Sequence, residues 1–196
     1  MKVIFLDHDG VICLESNWGS RSKKRKGLEK LATEYSELPV DCRFDNFDPK
    51  AIAVLNEILD ETGAEIVVSS DWRLHATVSE MGDYYTAQGI KSRPIGYTGL
   101  VREASAIDQI DFSRYSEMAE VTRHLEILQY LQDHPEITHW VAVDDLHMGI
   151  RVEASRYGAF DRDWGLANFV WTPQSREGIK QSGVKLKIVN YLNGNS

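Results

Sequence analysis

Four short apolar runs, separated by polar or helix-forming sequence, constrain the fold of this 196-residue chain more than any other feature. Short continuous apolar runs are typical of parallel strands that helices cover on both faces of a sheet. The runs are Val3–Leu6, Glu65–Val68, Trp140–Val143 and Phe169–Trp171, with Pro94–Thr98 as a weaker fifth candidate. Three of the runs lead directly into polar residues. The carboxyl ends of these strands are therefore the expected place for a functional site.

Helical patterns lie between the apolar runs. Residues Pro49 to Thr62 carry apolar side chains at helical spacing, after a possible N-cap at Asp48 and before a stop signal at Gly63. Similar patterns over Glu117–Asp133 and Ile179–Leu192 predict two more helices. Strands that alternate with helices imply a parallel sheet with right-handed crossovers. We predict an α/β fold: a doubly wound, Rossmann-like parallel sheet with helices on both faces.

Two segments do not follow this alternation. Residues 12–47 and 74–116 are predicted to be irregular insertions over one rim of the sheet. The chain has the length expected of one domain with a substantial core, so we predict a single domain over residues 1–196. No internal repeat divides it.

Composition excludes several classes of protein. A formal net charge of −8 argues against a protein that binds polyanions over its whole surface. Cys13 and Cys42 show neither metal-ligand spacing nor a disulfide framework, which favours a reduced compartment. The apolar run at the N-terminus is too short for a signal peptide, and no run approaches the length of a membrane span. We expect a cytoplasmic protein with no membrane partner.

Polar side chains that suit metal and phosphate chemistry follow the predicted strands. In chain order they are Asp7 and Asp9, then Ser69 and Ser70, then Asp144 and Asp145. Arg123 lies in the helix before the last pair. Alone, each feature has an ordinary interpretation: an acidic turn, a helix cap or a solvated ion pair. Together they indicate a shared hard cation, because adjacent carboxylates repel unless a positive charge lies between them.

In type and order these residues resemble the haloacid dehalogenase (HAD) superfamily. The matching stretches are "FLDHDGV", "EIVVSSDWR", "EVTRHLEILQYL" with Arg123, and "VAVDDLHMG", over about residues 2 to 192. "SSDWR", "RHLEILQYLQDHP" and "VAVDDLH" are more narrowly similar to the HAD-type domains of Swiss-army-knife RNA repair proteins. Lysine is commoner than arginine in the third motif, and Arg114 and Arg73 are alternatives to Arg123. The resemblance implies a small or absent cap, since neither insertion can hold a large one.

The resemblance also implies a role for each residue. Asp7 would be the nucleophile that forms an aspartyl-phosphate, and Asp9 would be the general acid and base. Ser69 and Arg123 would bind the phosphoryl group. Mg²⁺ would be held by Asp7, Asp144, Asp145 and the main-chain carbonyl of Asp9, and candidate substrate contacts are Gly10, Ser70 and Arg73. We expect a Mg²⁺-dependent phosphomonoester hydrolase.

The expected substrate is a phosphorylated compound of the nucleotide class or a phosphorylated RNA or DNA end. The basic run Arg21–Lys26 is either a solvated loop or a surface that attracts such a polyanion. Two other functions stay open: a phospho-accepting signalling module, and a catalytically silent nucleic-acid-binding domain on the same fold. The oligomeric state is not predicted.

Two aromatic side chains near the motifs are weighed separately. His8 lies between the two acids on an extended segment, so its side chain points away from theirs and is expected to pack or bond locally. The five tryptophans are interpreted as packing residues, with Trp72 the one candidate for a role at the site.

Overall fold

A computed structural model of the protein describes residues 1–28, 34–100, 115–149 and 165–195. Within these residues, five parallel strands form one sheet in the order β3-β2-β1-β4-β5. The strands are β1 (Lys2–Leu6), β2 (Glu65–Val68), β3 (Pro94–Tyr97), β4 (His139–Asp144) and β5 (Phe169–Trp171). The chain winds outward from β1 in both directions. The prediction of a doubly wound parallel sheet is confirmed.

Helices cover both faces of this sheet. They are α1 (Ser20–Arg25), α2 (Val40–Arg43), α3 (Pro49–Thr62), α4 (Val78–Gln88), α5 (Tyr115–Asp133) and α6 (Val184–Asn193). Short 3₁₀ segments span Glu15–Asn17, Tyr35–Glu37, Asp71–His75 and Gly178–Lys180.

The core has one layer on each side of the sheet. Ile4 and Leu6 of β1 point to the layer that α3, α4 and α6 cover. Val3 and Phe5 point to the opposite layer, where Ile127 of α5 packs. Because β1 is covered on both faces, its sequence is apolar from Val3 to Leu6 instead of alternating.

Helix α3 shows how its sequence sets its limits. The Asp48 Oδ1 accepts a hydrogen bond of 2.9 Å from the Ala51 N–H, and Pro49 occupies the first turn. Gly63 ends the helix with a φ of 64°, a left-handed conformation that glycine adopts at little cost. Both limits agree with the sequence prediction.

Helix α4 lies inside a segment for which the sequence predicted irregular structure. Thr77 and Glu80 form a reciprocal capping box at its start, and Met81, Tyr84 and Tyr85 are buried in the core. The helix packs beside β3, so residues 78–88 are a crossover element of the sheet and not an insertion over its rim. The prediction of an irregular 74–116 segment is therefore wrong for these residues. Its residues 101–114 lie outside the described part of the chain.

The last helix is shorter than the sequence pattern predicts. A 3₁₀ segment covers Gly178–Lys180, and α6 begins only at Val184 because Gly183 has a φ of 81°. Across the described part of the chain, no helix combines the length and apolar character needed to cross a membrane.

Strand register aligns the ends of the central strands. Leu6 pairs with Val68 on one side and with Val143 on the other. The next residue on each strand, Asp7, Ser69 or Asp144, is thus brought to one edge of the sheet.

Candidate active site

Three carboxylates cluster at this edge. One oxygen from each of Asp7, Asp144 and Asp145 lies within 4.8 Å of the others. Asp7 and Asp144 are buried, while Asp145 is half-buried. Oxygen-only ligands in this number suit a hard divalent cation such as Mg²⁺, with open positions left for water or phosphate.

The electrostatics of the cluster reflect crowded negative charge. Burial raises the pKa of Asp7 well above its ordinary value, and the neighbouring Asp144 carboxylate raises it further. Burial and Asp144 likewise raise the pKa of Asp145 to about 6. A bound divalent cation would reverse these shifts, because it favours the charged form of each ligand. The acids therefore fit the cation that the sequence predicts.

Arg123 supplies the fixed positive charge beside the cluster. Its Nη1 donates to Asp7 Oδ1 at 2.8 Å and to Asp144 Oδ2 at 3.1 Å. Its Nη2 donates to Asp71 Oδ1 at 3.0 Å. Asp71 lies within the "SSDWR" motif, but no pattern in the sequence indicates its bond to Arg123. The pairing of Asp71 with Arg123 depends on how α5 packs against the 3₁₀ segment Asp71–His75.

The alternative basic residues differ in position. Arg73 is buried, and its Nη2 donates to Glu126 Oε2 at 2.7 Å instead of to the acid cluster. Arg114 lies outside the described residues. Among the arginines that the structure describes, Arg123 therefore has the geometry expected of the third-motif residue.

Gly10 allows the loop after β1 to pass close to the acids. Its φ is 70°, and a Cβ built on it would lie 2.3 Å from Asp145 Oδ2. The loop turns tightly because the His8 carbonyl accepts hydrogen bonds from the N–H groups of Val11, Ile12 and Cys13. Gly10 is thus required for the loop conformation and for the position of Asp145.

Asp9 lies at the exposed rim of the site, and its carboxylate is not part of the Asp7 cluster. The indole Nε1–H of Trp72 donates to Asp9 Oδ2 at 2.8 Å. Partial burial raises the pKa of Asp9, while hydrogen bonds from Trp72 and Cys13 act in the opposite direction. A pKa raised above the ordinary value agrees in direction with the acid and base role that the resemblance implies for Asp9.

The two serines after β2 differ in their partners. Ser69 Oγ is buried and has no hydrogen-bond partner among the described residues. Ser70 Oγ accepts from the Trp72 N–H at 3.5 Å, so it caps the 3₁₀ turn. Thr98, which follows β3, also has a buried hydroxyl without a partner in the described chain. Unpaired buried hydroxyls are uncommon, and a phosphoryl oxygen would satisfy the one on Ser69.

His8 belongs to the core, as expected. Its Nε2 lies 2.6 Å from the Tyr85 hydroxyl. Burial lowers the pKa of His8 to about 3, so the ring is neutral at physiological pH.

Part of the basic run is committed to local contacts. Lys24 Nζ donates to Asn46 Oδ1 at 2.9 Å, and Arg25 Nε donates to the Cys42 carbonyl at 2.7 Å. Arg21 Nε lies 3.7 Å from Asp45 Oδ2. Lys23 and Lys26 are exposed. The run therefore attaches α1 to the segment before α3, and its role in attracting a polyanion stays a prediction.

Trp171 is a site residue that the sequence did not indicate. It is 44% exposed, and its Nε1 donates to the Asp145 carbonyl at 2.8 Å. The His147 and Trp171 rings meet edge to face, with their centroids 4.6 Å apart. Trp171 pairs with Asp144 in the register of β4 and β5, and this register is not encoded in the local sequence around Trp171.

Comparison with known proteins identifies one family. The family model described as "HAD domain in Swiss Army Knife RNA repair proteins" matches residues 3–174. No curated protein and no solved structure gives a significant match to the chain.

Proposed function

Since the chain belongs to the family of HAD domains in Swiss Army Knife RNA repair proteins, we propose that it is a Mg²⁺-dependent phosphomonoester hydrolase with an aspartyl-phosphate intermediate. One observation carries the proposal: Asp7, Asp144 and Asp145 converge beside the Arg123 guanidinium. The unpartnered Ser69 hydroxyl at the same edge of the sheet agrees with it.

The metal fits the carboxylates present. Asp7, Asp144 and Asp145 would hold it, with the Asp9 carbonyl as a further oxygen ligand. Bound there, Mg²⁺ would offset the negative charge that otherwise repels a phosphate dianion.

Asp7 and Asp9 carry out the bond changes and proton transfers of the proposed reaction. An oxygen of Asp7 attacks phosphorus as the bond from phosphorus to the leaving-group oxygen breaks, and Asp9 donates its proton to that oxygen. Asp9, now ionised, takes a proton from the water that attacks the phosphoryl group. The bond to Asp7 then breaks, inorganic phosphate leaves, and both acids return to their starting forms.

Ser69 and Arg123 bind the transferring group. The Ser69 hydroxyl donates to one phosphoryl oxygen, which satisfies a group that has no other partner in the described chain. Arg123 is held on both sides by carboxylates, so its charge is fixed before substrate arrives. Fixed donors stabilise developing charge without the cost of reorganising.

A substrate with a nucleobase is supported by Trp171. Its indole is exposed, yet its orientation is fixed by the hydrogen bond to the Asp145 carbonyl. A base that stacks on such a ring gains about 1–3 kcal/mol. We infer that the enzyme acts on nucleotides or phosphorylated nucleic-acid ends, in agreement with the RNA repair context of its family.

The first test is hydrolysis of small phosphates, nucleotides and phosphorylated oligonucleotides with Mg²⁺ and with a chelator. Asp7→Asn should abolish turnover and keep the fold, whereas the matched surface variant Asp60→Asn should keep wild-type activity because Asp60 only pairs with Lys91. Turnover by Asp7→Asn would contradict the mechanism. A stable phosphoryl-protein without turnover would favour the signalling module.

The second test addresses the base. Trp171→Leu should raise KM for a nucleoside monophosphate by roughly tenfold, from the stacking energy lost. Ribose 5-phosphate, which has no base, serves as the control and should keep its KM. An equal effect on both substrates would show that Trp171 contributes only to the position of Asp145.

A further inference from the structure

The carboxylate of Asp9 is held from one side by an indole. Trp72 Nε1 lies 2.8 Å from Asp9 Oδ2, although the two residues are 63 positions apart in the chain. An indole N–H can donate but cannot accept a hydrogen bond. Oδ2 therefore acts as an acceptor, which favours the other oxygen as the position of the proton in a neutral Asp9.

Two aromatic rings clamp this indole face to face. The Phe44 ring stacks on Trp72 with a centroid distance of 4.7 Å and an angle of 7°. The Phe47 ring stacks at 5.4 Å and 13°. Both phenylalanines belong to the segment between α2 and α3, within the predicted 12–47 insertion. A ring stacked in this way cannot turn its N–H away from Asp9 without disturbing both contacts.

The edge and the backbone of Trp72 are fixed as well. The His8 ring meets Trp72 edge to face, with centroids 4.8 Å apart. Ser70 caps the turn from which Trp72 projects, and Asp71 beside it is bonded to Arg123. Trp72 is therefore held by Phe44 and Phe47, by the His8 ring and by a turn whose Asp71 is bonded to Arg123.

We propose that Trp72 is a positioning residue, which holds Asp9 in the orientation that directs its proton to the leaving group. The segment between α2 and α3 supports the reaction because its Phe44 and Phe47 stack on Trp72. This inference rests on the proposed function. Its alternative is that the Trp72 ring only fills the core and that the contact to Asp9 has no effect on turnover.

The decisive variant is Trp72→Phe, which keeps a stacked ring and removes only the donor. Single-turnover measurements separate release of the leaving group from the later hydrolysis of the intermediate, in which Asp9 acts as the base. The rate of this release should fall about tenfold or more for an alkyl phosphate, whose leaving group needs a proton. For p-nitrophenyl phosphate, whose leaving group departs without one, it should fall less than about twofold. KM should change little for either substrate.

A double-mutant cycle with Asp9→Asn tests whether Trp72 affects turnover through Asp9. Because Trp72 acts through Asp9, Trp72→Phe should cause no further loss on the alkyl phosphate once the acid is removed. Tyr84→Phe is the matched control, since it also removes one donor from the same aromatic cluster but bonds the Asp45 carbonyl. It should lower stability and leave the ratio of the two substrate rates unchanged.

Several outcomes would overturn the proposal. An equal loss on both substrates would show a structural role, and a full extra loss in the Asp9→Asn background would show that Trp72 does not act through Asp9. A measurement independent of activity is the indole N–H resonance of Trp72, assigned by its absence in Trp72→Phe. Asp9→Ala should shift this resonance upfield as the acceptor disappears.

This resonance also separates the two proposals. A wild-type protein that hydrolyses no phosphate ester would refute the proposed function, while a shift of the indole resonance would still support the contact between Trp72 and Asp9. An unchanged resonance in Asp9→Ala would refute the positioning role whatever the activity.

Discussion

Gly10→Ala tests how the loop after β1 is fitted to the acid cluster. A φ of 70° is left-handed, and a residue with a Cβ loses roughly 1–2 kcal/mol there. The new Cβ would also lie 2.3 Å from Asp145 Oδ2 and 2.8 Å from Asp145 Cβ. Rotation of the Asp145 side chain cannot relieve the second contact, because its Cβ is fixed to the backbone. The loop or β4 must shift.

The expected result has two parts. The free energy of unfolding should fall by more than the backbone cost of about 1–2 kcal/mol, which alone lowers Tm by about 2–8 °C in a chain of this size. Mg²⁺ affinity should fall about 10- to 100-fold, the effect typical of a displaced ligand environment. Denaturant unfolding and Mg²⁺ titration by calorimetry measure the two quantities.

Gly63→Ala is the matched control. Gly63 has a φ of 64°, and a Cβ built on it would meet nothing within 4 Å. This variant should show the backbone cost alone and bind Mg²⁺ like the wild type. If Gly10→Ala and Gly63→Ala lose equal stability and bind Mg²⁺ equally well, the argument about Asp145 is refuted.

Three further predictions concern charge and burial. Folding raises the pKa of Asp145 from 3.8 to about 6, so this group stabilises the metal-free fold at low pH, and the effect is lost as pH rises through about 6. The increase in unfolding free energy on adding Mg²⁺ should therefore be larger at about pH 7.5 than at about pH 5. An increase that does not depend on pH would contradict the assignment of Asp145 as a metal ligand. Arg123→Met leaves buried carboxylates uncompensated and should lower the unfolding free energy by about 3–5 kcal/mol, measured by denaturant unfolding without Mg²⁺. The control Arg93→Met breaks an exposed ion pair and should lower it by about 0–1 kcal/mol. Equal losses would show that the buried pairing contributes nothing to stability. Tyr85→Phe leaves the His8 Nε2 without its partner and should cost about 1–3 kcal/mol of unfolding free energy, and a neutral result would mean that the bond makes no net contribution.

The sheet was predictable because its central strands, β1, β2 and β4, are largely apolar on both faces. Runs such as Val3–Leu6 need no knowledge of their partners to be recognised, and their limits agree with the structure to within a residue or two. Helix α4 was missed because its core face is made of tyrosines and a methionine, with Gly82 in its middle. The capping box of Thr77 and Glu80 was the available signal.

The sequence predicted that the acids converge at the candidate site, but it did not predict the side-chain contacts that hold them in place. Parallel strands bring their carboxyl ends to one edge, so residues that follow them meet regardless of loop structure. The contacts of Asp71 with Arg123 and of Trp72 with Asp9 join residues 52 and 63 positions apart. Such pairings depend on how a turn and a helix pack against each other, which no local pattern encodes.

The residue between the two acids ties them to the interior. The His8 ring is fully buried against Tyr85 of α4, and the His8 carbonyl anchors the loop through three N–H groups. Each acid is thus one peptide unit away from a side chain that cannot move without leaving a cavity in the core. The spacing of the proposed nucleophile, Asp7, and the proposed proton donor, Asp9, is therefore set by a buried neutral ring on the inner side of the loop. Substitutions that repack α4 around Tyr85 should consequently shift Asp7 and Asp9 through the His8 ring.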